Sequence, residues 1–219
     1  MLRAWVKSHL TLAVREALRR TVMELRLQQR HRAAVAKARH LRGPLKVHLG
    51  CGPNLKPGWV NIDLLDPHAD LALDLREPWP FPDRSVELIY SEHFFEHLDF
   101  PAQAEHVLRE SYRVLQPGGI FSVGVPDVAQ HFGPYLRGDA AYFAGLWNPK
   151  YPDWLKIPMH LINYTFHQLG EHKYAYDEDI LSLALRAAGF TSIRRRDFEP
   201  ELDVTARAGT LYIEGTKPH

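Results

Sequence analysis

The sequence is short of the features that mark secreted and membrane-spanning proteins. Cys51 is the only cysteine among 219 residues, so the chain cannot form an internal disulfide, and this cysteine usage fits a reducing compartment. No stretch approaches the roughly 18 consecutive apolar residues of a membrane-spanning helix. Hydrophobic residues make up 45% and charged residues 24% of the chain, which is typical of an ordinary globular protein. We therefore expect a folded, cytoplasmic protein.

The N-terminal segment contains no glycine or proline and very few acidic residues. Residues 2–40 are instead rich in leucine, alanine, arginine and glutamine, which favour helices. Residues 1–42 carry eleven basic and two acidic residues, whereas residues 43–219 carry sixteen and twenty-four. We predict a basic amphipathic helical arm at 1–42 before a single domain at 43–219. The apolar residues of the arm recur mostly every four positions, at Val6, Leu10, Val14, Leu18, Val22 and Leu25.

Several roles are open for this arm. It could be a solvated helix that packs one face on the domain. A basic amphipathic helix also binds anionic lipid, which would place the protein at the periphery of the inner membrane face. A nucleic-acid-binding arm and an organelle transit peptide are further alternatives. Because the domain is acidic, we do not expect nucleic acid as a partner.

Beyond Arg42, short apolar runs alternate with helical patterns, which indicates an α/β protein. Helices are predicted at about 101–115 and 177–188, the second capped by Asp177 and ended by Gly189. Residues 126–176 are expected to be a long irregular region. Seven strands are predicted, at 45–49, 59–64, 70–75, 86–91, 119–125, 191–198 and 210–216.

The stretch KVHLGCGPNLKPGWVNIDL places a glycine-rich loop between the first two predicted strands. A dinucleotide-binding loop has a third glycine and opens a helix whose N-terminus faces the diphosphate. Here the third glycine is absent, and the ten residues from Gly50 to Trp59 leave room for scarcely more than one helical turn. Asp63 ends the second strand, where a carboxylate can accept hydrogen bonds from both ribose hydroxyls. The pattern indicates a site for a nucleoside without phosphates.

These residues resemble the class I S-adenosylmethionine-dependent methyltransferases, in particular a small bacterial, type 11-like branch. The motifs LGCGPN, NIDL, LDL, PFPDRSVELIYSEHFFEHL and RVLQPGGIFSVGVPD occur in the order of that family, between Lys46 and about Pro126. The resemblance implies a doubly wound, Rossmann-like sheet of seven mostly parallel strands with an antiparallel last strand. Two residues depart from the family pattern. His48 stands where many relatives have an acid, and Glu87 stands where aspartate is usual.

The resemblance also implies S-adenosylmethionine as the cofactor and a set of residues that hold it. The loop after the first strand would face the methionine part, Asp63 the ribose and Asp74 the adenine. Each residue also has a structural interpretation, such as a tight turn for the glycines, a capped turn for the aspartates or simple packing for Cys51. The predicted cofactor-binding residues are Gly50, Cys51, Gly52, Asn54, Asp63, Leu64, Asp74, Leu75, Ser91 and Glu92.

The stretch SEHFFEHL supplies candidates for a general base. His93 follows the fourth predicted strand, where acceptor and cofactor should meet, and is our first choice for a catalytic residue. His93 and His97 also form an i, i+4 pair of the kind that binds zinc. However, the family resemblance supplies no metal, so we expect none. Other candidate bases are Glu92, Glu96, His97, Asp127, His160, His167 and His172.

The region 126–176 exceeds what the fold needs and holds eleven of the twenty-four aromatic residues. We expect it to be an acceptor-binding lid; the alternative is a subdomain that only packs or dimerises. Aromatic platforms with interspersed polar groups suit sugars, so methyl transfer to an oxygen of a glycan, a lipid-linked sugar or another small molecule is the predicted activity. A catalytically inactive binding protein and a nucleic-acid methyltransferase are the alternatives.

Overall fold

The computed structural model describes residues 10–147, 151–204 and 209–219. A single long helix, α1 (Leu12–Ala38), precedes the sheet and begins where the Thr11 hydroxyl accepts a hydrogen bond from the N–H of Val14. Its second half lies against the domain, because Ala34 and Ala38 are buried in the main hydrophobic core. Its first half is exposed. The first nine residues of the predicted arm, which include Val6, lie outside the described residues.

The domain contains six strands and five labelled helices within the described ranges. The chain runs through β1 (Leu45–Leu49), β2 (Val60–Ile62), β3 (Val86–Glu92), α2 (Ala102–Val114), β4 (Leu115–Pro126), α3 (Phe132–Leu136), α4 (Ala140–Gly145), α5 (Pro158–His167), α6 (Glu178–Ala187), β5 (Thr191–Arg196) and β6 (Thr210–Thr216). Short 3-10 turns occur at Phe95–His97, Ala129–His131 and Gln168–Gly170.

The strands form one sheet in the order β2-β1-β3-β4-β6-β5. The pairs among β2, β1, β3 and β4 are parallel, whereas β6 runs antiparallel to both β4 and β5. This is the predicted mostly parallel, Rossmann-like arrangement with an antiparallel strand near its end. In such sheets the ligand binds outside the carboxyl ends of the strands.

Of the seven predicted strands, the one at 70–75 does not form, so that prediction is wrong. Leu71 forms an isolated bridge with Ile62, and the N–H of Leu71 donates to the Asn61 carbonyl at 3.1 Å. Further along, the N–H of Asp74 donates to Nδ1 of His31 on α1 at 3.1 Å. A continued pairing would need the N–H of Leu65, which instead donates to Oδ1 of Asp63 at 2.8 Å, so the pairing ends after one bridge.

The sequence predicted that residues 126–176 are irregular, and this prediction is wrong. The region holds α3, α4 and α5. It has its own small core, in which Phe143, Leu155, Leu161 and Ile162 are buried. A bridge between Asp127 and Tyr176 joins its two ends. We refer to residues 126–176 as the insertion. The predicted helix at 177–188 is confirmed as α6, with the Asp177 side chain accepting from the N–H of Ile180.

Candidate functional site

The candidate site lies at the carboxyl ends of β1, β2 and β3. Residues 50–59, all of which the structure describes, form turns and contain no helix, as the short spacing predicted. Gly50 and Gly52 have positive φ angles of 61° and 49°, which glycine adopts without strain. A Cβ added at Gly50 would lie 2.6 Å from Cδ2 of Phe94, whereas one at Gly52 would meet no atom within 4 Å. Gly50 thus allows Phe94 to pack closely against the loop, whereas the space beside Gly52 is open.

Asp63 connects the loops that follow β1 and β2. Its Oδ2 accepts a hydrogen bond from the N–H of Gly52 at 3.0 Å. Its Oδ1 accepts from the N–H groups of Leu65 and Asp66, both at 2.8 Å. A carboxylate has about four acceptor positions, so one remains for a ligand. Asp63 therefore faces the carboxyl edge of the sheet, as the sequence predicted.

A cavity of about 630 Å³ opens at this edge, within the range of about 300–1,000 Å³ that small-molecule sites occupy. Seven predicted site residues line it together, so the loops that the sequence singled out do converge. They are Gly50, Gly52, Asp63, Leu64, Asp74, Leu75 and His93.

Helix α1 forms one wall of this cavity, which sequence reasoning did not anticipate. Met23, Glu24 and Leu27 line it, and Arg30 donates to the carbonyls of Leu65 and Asp66 at 3.1 and 2.9 Å. The helix therefore holds the loop that follows Asp63.

Asp74 is paired with Arg76 across 2.7 Å. Burial alone would raise the pKa of the Asp74 carboxyl, but the hydrogen bonds and charge of Arg76 bring that pKa below its ordinary value. Asp74 is thus a carboxylate whose position is fixed by its neighbour and by His31 on α1.

His93 follows β3 in a conformation that ordinary side chains rarely adopt, with a φ of 53°. Its N–H donates to the Gly124 carbonyl at 2.8 Å, which holds the residue there. The ring lies between two groups, with Nε2 at 3.0 Å from Oγ1 of Thr210 and Nδ1 at 3.3 Å from Oε1 of Glu96. Backbone strain of this kind concentrates at functional sites.

Known proteins resemble this chain in fold and, over one segment, in sequence. A S-adenosylmethionine-dependent methyltransferase from Archaeoglobus fulgidus has a TM-score of 0.50 at 17% identity, with 89% of this chain and 94% of that chain covered. Phosphoethanolamine N-methyltransferase 2 of Haemonchus contortus has a TM-score of 0.50 at 10% identity, with 87% of this chain and 53% of that chain covered. At identities this low, the structural similarity shows a common fold and nothing more. A comparison with curated proteins finds no match.

Residues 60–123 match the family model described as a methyltransferase domain. The matched segment begins at β2 and includes thirteen residues of the cavity wall, among them Asp63, Asp74 and His93. This family match and the shared fold support a class I S-adenosylmethionine-dependent methyltransferase. The same findings support the type 11-like branch and S-adenosylmethionine as the cofactor. Gly52 lines this cavity, and a Cβ added there would meet no protein atom within 4 Å, so the loop leaves room for a ligand.

Four predicted cofactor-binding residues of the methyltransferase lie outside the cavity wall. Cys51 is buried, and burial raises the pKa of its thiol to about 12, so it is a packed, unreactive side chain. Asn54 borders a different cavity, beside Trp59 and Asp203. Ser91 is fully buried, and its hydroxyl has no hydrogen-bond partner among the described residues.

Glu92 is the fourth of these residues and is held by three donors. It accepts hydrogen bonds from the Tyr90 hydroxyl at 2.6 Å, the Val204 N–H at 3.0 Å and the Tyr212 hydroxyl at 3.3 Å. Burial, followed by the bond to Glu92, raises the pKa of Tyr90 well above its ordinary value. Glu92 thus joins β3 to β6, and its predicted contact with the cofactor stays a prediction.

The remaining candidate bases of the methyltransferase lie in three places. Glu96, His97 and His172 lie together beside His93, and burial lowers the pKa of His172. Asp127 accepts from the N–H of Ala129 at 3.1 Å and lies 3.5 Å from Arg195 at the start of the insertion. His160 and His167 are on α5 and do not line the cavity.

No helix in the described ranges is both long and apolar enough to cross a lipid bilayer.

Proposed function

We propose that the methyltransferase transfers the methyl group of S-adenosylmethionine to an oxygen atom of a glycan, a lipid-linked sugar or another small molecule. The observation that supports this most is the position of His93, a strained residue in the wall of the cavity that also contains Asp63 and Asp74. A base at that point can reach an acceptor hydroxyl that enters beside the cofactor.

Each part of the cofactor would have its own residues. Gly50 and Gly52 would border the methionine part, and the remaining acceptor position of Asp63 would accept from one ribose hydroxyl. Asp74 and Leu75 would contact the adenine. The sulfonium of the bound cofactor supplies an electrophilic methyl group with a neutral leaving group, so the protein has mainly to align the reacting atoms. Such alignment can lower a barrier by about 7–11 kcal/mol.

His93 would accept the proton of the acceptor hydroxyl. A positioned base contributes roughly 10²–10⁴-fold to the rate of such a reaction. Glu96, with Oε1 at 3.3 Å from Nδ1 of His93, would orient the ring and stabilise its protonated form. The Thr210 hydroxyl lies 3.0 Å from Nε2 of His93 and would move away when an acceptor hydroxyl binds at Nε2.

The insertion would bind the acceptor. Its exposed aromatic side chains offer flat apolar faces on which sugar rings can stack, while other aromatic residues form its small core. The exposed ones are Phe132, Tyr135, Trp147 and Trp154.

The first half of α1 would contact a membrane surface. Leu18, Val22 and Leu25 are each at least 50% exposed on this helix, and basic residues surround them. Apolar and basic side chains together favour binding to anionic lipid. A chain so anchored would meet a lipid-linked acceptor at the bilayer surface.

The catalytic proposal is tested with the His93→Ala variant. Incorporation of labelled methyl groups is measured with a panel of free and lipid-linked sugars, and S-adenosylhomocysteine affinity is measured by calorimetry. We expect His93→Ala to lose turnover and keep its affinity, whereas His68→Ala, an exposed histidine, changes neither. Unchanged turnover in His93→Ala would contradict the role of His93.

The membrane proposal has a separate test. Sedimentation with anionic vesicles is compared for the native chain and for the double variant Leu18→Ser, Val22→Ser, with neutral vesicles as a control. We expect the double variant to lose most of its binding to anionic vesicles. Equal sedimentation of both proteins would contradict the proposal.

A further inference from the structure

Three side chains from two distant segments converge beside the cavity. One ligand atom from each of Glu96, His97 and His172 lies within 4.8 Å of the other two. Glu96 and His97 belong to the 3-10 turn after β3, whereas His172 lies near the end of the insertion. The predicted i, i+4 pair of His93 and His97 is not what forms this cluster, because the turn is not an α-helix.

Glu96 has an unusual environment for a carboxylate. Only 2% of the residue is exposed, and neither carboxylate oxygen has a hydrogen-bond partner within the described part of the chain. The nearest candidates are Nδ1 of His93 at 3.3 Å and Nε2 of His172 at 4.0 Å. A buried carboxylate without hydrogen bonds is strongly destabilising unless a cation compensates it.

Both histidines of the cluster have the tautomer that a metal ligand needs. Nδ1 of His97 lies 3.1 Å from the Glu171 carbonyl, and Nδ1 of His172 lies 2.7 Å from the Thr165 carbonyl. Because a carbonyl oxygen only accepts, each Nδ1 carries the hydrogen and each Nε2 keeps a free lone pair. Backbone carbonyls orient metal-binding histidines in this way.

We propose that Glu96, His97 and His172 bind one divalent transition-metal ion of the zinc type. Two imidazoles and one carboxylate form a set that Zn²⁺ uses with a fourth position left to water or another ligand. Ligand atoms around one such ion lie about 3.3 Å apart, so the side chains close by small rotations on binding.

The ion would fix the insertion to the cavity. His97 lines the cavity wall, and His172 is the ligand from the insertion, so the bound ion bridges the two. This bridge does not depend on which acceptor the methyltransferase uses. The ion would add to existing links between the insertion and the turn after β3, such as the bond from the N–H of Lys173 to the Glu96 carbonyl at 2.6 Å.

The test uses full-length protein without a histidine tag, stripped with a chelator and titrated with zinc chloride by calorimetry. We expect one Zn²⁺ ion per chain, and visible absorption of a tetrahedral or five-coordinate site when Co²⁺ replaces it. Glu96→Gln and His172→Ala should each weaken Zn²⁺ binding by more than about tenfold, since even the loss of an outer-shell partner costs that much. His167→Ala, an exposed histidine of the same insertion, should bind as the native chain does.

Folding of every variant is monitored by S-adenosylhomocysteine binding and thermal melting. If Glu96→Gln does not fold, the double variant His97→Ala, His172→Ala is used in its place, since it leaves Glu96 unchanged. The proposal is overturned if the native chain binds no Zn²⁺ above background. It is also overturned if folded ligand variants bind Zn²⁺ as tightly as His167→Ala.

Discussion

The cofactor side of the sheet and the insertion differ in how they are stabilised. At the cofactor side, one large core underlies the sheet, and the loops after β1 and β2 are joined by N–H groups that donate to the Asp63 carboxylate. The insertion has a separate core of four buried residues and meets the sheet through a few contacts at its ends. Under the proposed function, cofactor binding and acceptor binding would therefore rest on separate cores. Substitutions can therefore disturb one and spare the other.

The largest effect is expected from Gly50→Ala. Its φ of 61° becomes strained, and the new Cβ meets Phe94 at 2.6 Å. Strain and overpacking together should lower the free energy of unfolding by about 4 kcal/mol and abolish S-adenosylhomocysteine binding. Gly52→Ala has the strain without the protein clash, so it should lose affinity with a smaller change in stability. Denaturant unfolding and calorimetry measure both. Equal stability losses in the two variants would contradict the packing at Gly50.

Leu155→Ala should affect the insertion alone. Leu155 is 1% exposed in the small core, and such a truncation costs about 2–5 kcal/mol. We expect faster proteolysis within 126–176 and reduced acceptor turnover, with unchanged S-adenosylhomocysteine affinity. Leu169→Ala, an exposed residue of the same insertion, is the control. A parallel loss of cofactor affinity in Leu155→Ala would show that the two sides are one cooperative unit.

A smaller, pH-dependent effect is expected from His48 on β1. Burial, and then the charge of Lys56, lowers the pKa of His48 from 6.5 to about 4. Because the unfolded chain binds the proton more readily, the contribution of His48 is present above pH 6.5 and is lost as pH falls toward 4. From pH 7 to pH 5 the loss is about 2 kcal/mol. His48→Gln should remove that part of the pH dependence of unfolding, and His68→Gln should not. An unchanged slope in His48→Gln would contradict the account.

The sequence predicted which loops meet at the carboxyl edge of the sheet because their signals are local. Gly50, Gly52 and Asp63 lie within fourteen positions along the chain, and strand ends in a parallel sheet place such residues together. The insertion was harder, since its helices are only five to ten residues long and their apolar faces serve a separate core. The strand predicted at 70–75 failed because the Asp63 side chain takes the N–H of Leu65 that a longer pairing would need.

Long-range contacts account for the remaining misses. The approach of α1 to the cavity depends on Arg30 and His31, whose partners lie more than thirty positions away. Likewise His172 joins Glu96 from the far end of the insertion. Neither pairing leaves a periodic pattern in the sequence. Composition showed the histidines and arginines but could not show which of them meet.

The central claim is that the cavity beside Asp63 binds the adenosine part of the cofactor. Calorimetric titration with S-adenosylhomocysteine tests it most directly, on the native chain and on Asp63→Asn. We predict one site per native chain with micromolar affinity. Asp63→Asn should weaken it roughly 10–100-fold, because charge-assisted hydrogen bonds are lost. Absence of heat with the native chain, or equal affinity in a folded Asp63→Asn variant, would contradict the account.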